Sequence, residues 1–144
     1  MLPSITSDLI KKTILHHLPS VEAIYLFGSQ AKGNAQENSD IDLAILCSDV
    51  LSANIRWDLS QTLAVLLNKN IDLIDLKQTN TVMQWQVIHT GQRIFSKDAS
   101  MIAFFETYVL ADYIRLMELR QGIIDDIKKR GSIYADIPHK FRLN

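Results

Sequence analysis

A chain of 144 residues, 47% hydrophobic and 22% charged, has the length and make-up of one compact domain with its own core, not of a fibrous or disordered protein. Its net charge of -1 excludes a global basic field for nonspecific nucleic-acid binding, and no direct nucleic-acid partner is expected. The one cysteine, Cys47, excludes an intramolecular disulfide, and at the end of an apolar run it reads as a buried, inert thiol.

The N-terminal MLPSITSDLIKK lacks a basic leader followed by an apolar run, and no segment approaches the roughly 20 apolar residues of a membrane helix. The expected location is the cytoplasm, with no membrane partner. Thr6 or Ser7 can cap a first helix running to about Leu18, with Leu9, Ile10, Ile14 and Leu18 as its apolar stripe. Pro19-Ser20 ends it, and Val21 to Phe27 reads as a strand. Gly28 to Ser39 is a polar loop, and Asp40 to Cys47 a second strand. Leu51 to Asn68 carries leucine and isoleucine at helical spacing. Ile71 to Leu76 is a third strand. Thr79-Asn80 can cap a short helix over about Thr81–Thr90, Gly91 suits a helix C-terminal position, and Gln92 to Phe95 is a short edge strand. From Ala99 to Lys129 the chain has no proline and a single glycine, Gly122, which leaves one long helix or two joined there. Gly131 stops it, and the tail DIPHKFRLN is expected to be irregular. The fold class is α+β: a small mixed sheet flanked by helices, with residues 1–97 as the core, 98–135 as a helical extension packed on the core and on a partner, and 136–144 as a tail.

The chemistry concentrates between Phe27 and Leu46. A small-residue turn at Gly28-Ser29 follows an apolar strand and exposes backbone N–H groups that phosphate oxygens can approach. Ten residues on, Asp40-Ile41-Asp42 places two acids one residue apart, on one side of an extended segment. Like charges this close repel, and a hard divalent cation such as magnesium relieves the repulsion. A bare D-x-D is common on solvated sheet edges; the preceding FGS gives this one its weight. The third strand adds Asp72 and Asp75. They are three positions apart and face opposite ways, so only one can join the site. Asp72 is favoured because it opens its strand as Asp40 opens the second. Asp75 is left with a solvated or turn-stabilising role.

Other suggestive residues have plainer readings. His16 and His17 suit the C-terminal end of a helix, and His89 has no second ligand at metal spacing. Trp57 and Trp85 read as core or interface packing rather than base stacking. Lys128-Lys129-Arg130 reads as a solvated basic helix end. The last long helix carries apolar residues on two faces, one with Ile102, Phe105 and Val109 and another with Phe104, Tyr108 and Ile114. Either a partner covers the second face or the segment folds back as a hairpin bent near Gly122.

The segment GSQAKGNAQENSDIDLAIL resembles the nucleotidyltransferase superfamily of DNA polymerase beta, whose signature is Gly-Ser, a spacer, Asp-x-Asp, and a later strand with a third acid. It is similar to the minimal nucleotidyltransferases, and the whole chain resembles the MntA-type antitoxins that pair with a HEPN-domain ribonuclease toxin, HepT. The resemblance implies a nucleotidyltransferase fold and ATP as substrate, with Gly28 and Ser29 holding the triphosphate. It implies Asp40 and Asp42 as ligands of magnesium, with two ions, and Asp72 as the third carboxylate, ligand, base or both. It implies transfer of one or several AMP units to a tyrosine of the toxin, which blocks RNA cleavage. Many relatives carry arginine directly after Gly-Ser and often again two positions on. Here those places hold Gln30 and Lys32, and Lys32 keeps a point charge for phosphate without a bidentate fork. Two other functions compete: an antitoxin that neutralises by covering its toxin, and transfer of a nucleotide to a small molecule such as an antibiotic.

Overall fold

A computed structural model describes residues 2–33, 36 and 39–131. The order is α1 (Ser4–His17), β1 (Val21–Phe27), α2 (Gly28–Lys32), β2 (Ile41–Cys47), α3 (Ala53–Leu67), β3 (Ile71–Asp75), a 3-10 turn (Leu76–Gln78), α4 (Thr81–Thr90), β4 (Gln92–Ser96) and α5 (Ala99–Arg130). The strands form one mixed sheet in the order β3-β2-β1-β4. β1 runs antiparallel to both β2 and β4, while β2 and β3 are parallel and joined through α3. A parallel pair needs such a crossover, because a tight turn cannot reverse the chain twice.

Alternation along the strands sorts side chains into two cores. Ile24, Leu26, Ile41, Leu43, Ile45 and Leu73 pack with Ile10 and Ile14 of α1 and Leu59 and Leu63 of α3. On the other face Ala23, Tyr25, Ala44 and Leu46 pack with Val87 of α4 and Ile102 of α5. The buried Tyr25 hydroxyl donates to Glu106 at 3.0 Å, and Arg93 donates to the same carboxylate at 3.1 Å. This network ties β1, β4 and α5 together. Burial first, then Glu106, holds the Tyr25 phenol well above its ordinary pKa.

Several expected boundaries shift. α1 begins at Ser4 after Pro3, with no side-chain cap, rather than after Thr6 or Ser7. Proline supplies a fixed φ near the start of a helix, so an Oγ acceptor is dispensable there. Ser52 caps α3 by accepting from the Ile55 N–H, and Asn68 closes it in the left-handed region. Asn80 caps α4 as expected, accepting from the Met83 N–H at 2.8 Å. β3 stops at Asp75, and Leu76 falls in the 3-10 turn. The final segment is one helix of 32 residues that runs through Gly122 without a break. The tail 136–144 lies outside the described residues.

Gly91 follows α4, but for a different reason than a left-handed cap. Its φ is -84°, which any residue adopts. A Cβ there would overlap the Val87 carbonyl oxygen and stand 2.9 Å from that of Leu26, both fixed backbone atoms. The glycine lets the end of α4 close onto the end of β1. Gly91→Ala is therefore expected to cost about 2 kcal/mol, as overpacking in a tight site does, and to lower Tm by roughly 4–8 °C in a thermal melt.

Candidate active site

The site forms at one end of the sheet, where β1 finishes and where β2 and β3 begin. Phe27 stands opposite Asp42 in the antiparallel pair, and Asp42 stands opposite Asp72 in the parallel pair. Strand spacing sets the Asp42 and Asp72 backbones about 5 Å apart. Both carboxylates lie on the face that carries Ala44, Leu46 and Ile74, because they share those residues' parity along their strands. Asp40 lies just ahead of β2, which starts at Ile41 and not at Asp40 as expected. It is exposed, whereas Asp42 is half-buried.

Asp75 falls on the opposite face, as alternation requires. It is 7% exposed, and its Oδ1 accepts from the Lys77 N–H at 3.1 Å, capping the 3-10 turn. Of the two roles expected for it, turn stabilisation holds and a solvated carboxylate does not. Cys47 is buried as expected, and burial, with Asp75 adding, raises its thiol pKa.

Gly28 was expected to open a loop, yet Gly28–Lys32 is a short helix closed by Gly33 at φ +74°. The residues GSQAK need only one turn of helix to carry the chain away from β1. Part of the remaining spacer, residues 34, 35, 37 and 38, lies outside the described residues. Gly28 itself has φ +70°, and a Cβ there would overlap the Asp42 carboxylate. The glycine's bare Cα thus lets that carboxylate approach the chain closely and tolerates a backbone conformation that L side chains avoid. Ser29 is half-buried at the same corner, and Lys32 is exposed at the far end of α2. Gln30, which stands where many relatives carry arginine, is 5% exposed on the inner side of α2. A helix rather than a loop turns it inward, and no periodicity in five residues could have revealed that.

Electrostatics join the three acids. The Asp42 carboxyl is raised above the ordinary carboxylate range, first by burial, then by the charge of Asp72, then by that of Asp40. Among the described residues, no comparable relief comes from a cation. Among the described residues no three carboxylate, imidazole or thiolate groups stand close enough to enclose an ion by themselves. Magnesium is suited to such a partial set of carboxylates. That ion takes one or two carboxylates and completes its shell with phosphate oxygens and water. The donor set of hard oxygens, brought against the bare Gly28 backbone, fits a magnesium–triphosphate complex. A groove of about 450 Å³ lined by Asn54, Arg56, Trp57 and Ser60 runs along the outer edge of β3 and reaches Asp72.

The remaining sequence candidates fall outside this corner or serve packing. Trp85 stacks on Tyr113 of α5 at 5.7 Å and on His89 at 5.1 Å. Trp57, expected in a core or interface, is 65% exposed. His16 and His17 end α1, and His17 Nδ1 donates to the Thr13 carbonyl at 2.9 Å. Arg130 pairs with Asp126 at 3.4 Å at the end of α5. No helix among the described residues is long and apolar enough to cross a membrane.

A mixed sheet with Gly-Ser at the end of one strand and Asp-x-Asp entering the next defines a nucleotidyltransferase, and residues 10–100 match the family described as polymerase beta, nucleotidyltransferase. Over 126 residues the chain is 35% identical to the protein adenylyltransferase MntA of Shewanella oneidensis, covering 88% of this chain and 90% of that protein. It is 36% identical over 72 residues to the probable protein adenylyltransferase MntA of Haemophilus influenzae, covering 49% of this chain and 63% of that one. Among solved structures, a toxin–antitoxin crystal structure with AMP-PNP superposes with a TM-score of 0.76 at 36% identity, covering 85% of this chain and 98% of that chain. The complex of a tri-AMPylated Shewanella oneidensis HEPN toxin with MNT antitoxin gives 0.72 at 33%, covering 87% and 98%. The chain belongs to the polymerase beta nucleotidyltransferase family, within its MntA branch of protein adenylyltransferases.

Proposed function

We propose that this protein is an antitoxin that transfers AMP from ATP to a tyrosine hydroxyl of a HEPN-domain ribonuclease toxin, in one or several rounds, and so neutralises it. The observation that carries the reading is the alignment of Asp42 with Asp72 across β2 and β3, with the Asp42 carboxylate filling the place a Gly28 side chain would take. Its relatives of similar length are named protein adenylyltransferases, and structural neighbours are complexes with a HEPN toxin.

In this reading the Gly28-Ser29 corner holds the triphosphate tail, and Lys32 supplies a nearby positive charge. Asp40, Asp42 and Asp72 would hold magnesium, as two ions, which would supply charge neutralisation for the phosphates and for the attacking and leaving oxygens. Asp72, at the outermost strand, accepts the proton of the incoming tyrosine hydroxyl. The tyrosine oxygen forms a bond to the α-phosphorus, the bond from that phosphorus to the bridging oxygen breaks, and pyrophosphate leaves.

The test mixes the chain with ATP, magnesium and the protein encoded by the neighbouring gene, and reads the intact mass of both proteins. The expected result is a partner heavier by whole AMP units, with loss of its ribonuclease activity. An inhibited but unmodified partner would instead establish neutralisation by coverage. A partner neither modified nor inhibited would overturn the antitoxin reading.

A further inference from the structure

The distal half of α5 is a helix without tertiary cover among the described residues. Ile102 in its first half is buried against the sheet and Val109 is buried as well, whereas from Glu118 to Arg130 only Ile127 is even half-buried. Thirteen residues of helix standing in water are marginal. Yet this stretch presents Leu119 at 60% exposure and Ile123 at 57%, one turn apart on one face. Between them sits Gly122. A Cβ built at Gly122 meets no atom within 4 Å, so no contact among the described residues asks for glycine there. A glycine in a helix interior is unfavourable relative to alanine, and no contact among the described residues offsets that cost. Leu119, Gly122 and Ile123 line a shallow notch, with Arg115, Glu118 and Asp126 around it.

The charges decide between a second copy and a different chain. If two α5 helices crossed antiparallel at Gly122, position i would face position 244 minus i. Glu118 would then meet the other copy's Asp126, and Arg115 the other copy's Lys129. A parallel pair would bring each of these charges toward its own mate. Both arrangements set like charge against like, which is destabilising. A chain with its own charge pattern can instead set bases against Glu118 and Asp126 and an acid against Arg115.

We propose that the Gly122 notch of α5 is the seat of a closely approaching backbone segment of the toxin, with Leu119 and Ile123 packing to either side. This rests on the antitoxin reading above, and it extends that reading by placing a docking surface away from the catalytic corner. Gly122 is retained for partner approach, not for the stability of its own helix.

The test compares wild type, Gly122→Ala and Gly122→Leu, alone and with the toxin. Alone, both substitutions are expected to raise Tm by about 2 °C, as removal of a helical glycine does. With the toxin, Kd is expected to rise in order of side-chain size, by 10-fold or more for Gly122→Leu. An unchanged Kd in Gly122→Leu, with wild type still binding and AMPylating the toxin, overturns the notch and leaves the antitoxin reading standing. Wild type that neither binds nor modifies the toxin removes that reading and the notch with it. Two further outcomes also overturn the assignment. Light scattering that shows a wild-type dimer lost in Gly122→Leu would give the face to a second copy. A fall in Tm of isolated Gly122→Leu would give it to the chain's own residues 132–144.

Discussion

Replacing Asp42 by asparagine is expected to abolish AMP transfer and, at the same time, to stabilise the isolated protein. The two effects have one cause. Asp42 is half-buried, beside Asp72 and within the field of Asp40, and its carboxyl is raised for those reasons. A folded-state pKa above the unfolded one contributes stability only below the unfolded value, and this is lost as pH rises through the folded value. At neutral pH the ionised carboxylate is therefore a liability to the fold. Asparagine keeps the shape and removes the charge, so Tm in the absence of magnesium should rise by about 1–3 °C. Activity should fall by about three orders of magnitude or more, since a bound metal contributes several kcal/mol of transition-state stabilisation. Adding magnesium with a non-hydrolysable ATP analogue should raise the Tm of wild type and not that of Asp42→Asn. A variant less stable than wild type without metal would overturn the account of a strained, cation-seeking cluster.

The second large effect separates two aspartates three residues apart. Asp72→Ala is expected to reduce AMP transfer by at least about a hundredfold with Tm nearly unchanged, because Asp72 is exposed and aligned with Asp42. Asp75→Ala is expected to do the reverse. Its carboxylate caps the turn after β3 from a buried position, and losing a cap costs about 1 kcal/mol. Tm should drop by roughly 2–4 °C while kcat stays within a factor of two or three. Purified variants assayed for both quantities give a crossed pattern. Loss of activity in Asp75→Ala at unchanged Tm would reassign the third carboxylate.

These two residues also mark what the sequence made legible. Period-2 alternation sufficed to say that only one of Asp72 and Asp75 could join Asp42, and the parallel register sets Asp72 beside Asp42. The strands were legible because Val21–Phe27 and Ile41–Cys47 are apolar runs, each interrupted by a single acid, Glu22 or Asp42, and bounded by turn residues. The short helix at Gly28–Lys32 was not, since a five-residue polar turn has no periodicity to read. The inward side of Gln30 was lost with it. Gly91 was placed rightly at a helix end but for a local reason. Its actual constraint, the carbonyl of Leu26 on another element, is a tertiary contact with no sequence signature. Gly122 was read as a possible break, whereas helix on both sides carries it through.

The unbroken course of α5 also makes it a ruler. Gly122 lies twenty helical steps beyond Ile102, which is buried against the sheet, a span of roughly 30 Å at 1.5 Å per residue. Whatever grips the far end is thus held at a set reach and bearing from the catalytic corner. Inserting one residue near Glu118 would swing that end by about 100°, while inserting seven would nearly restore its bearing and lengthen the reach by about 10 Å.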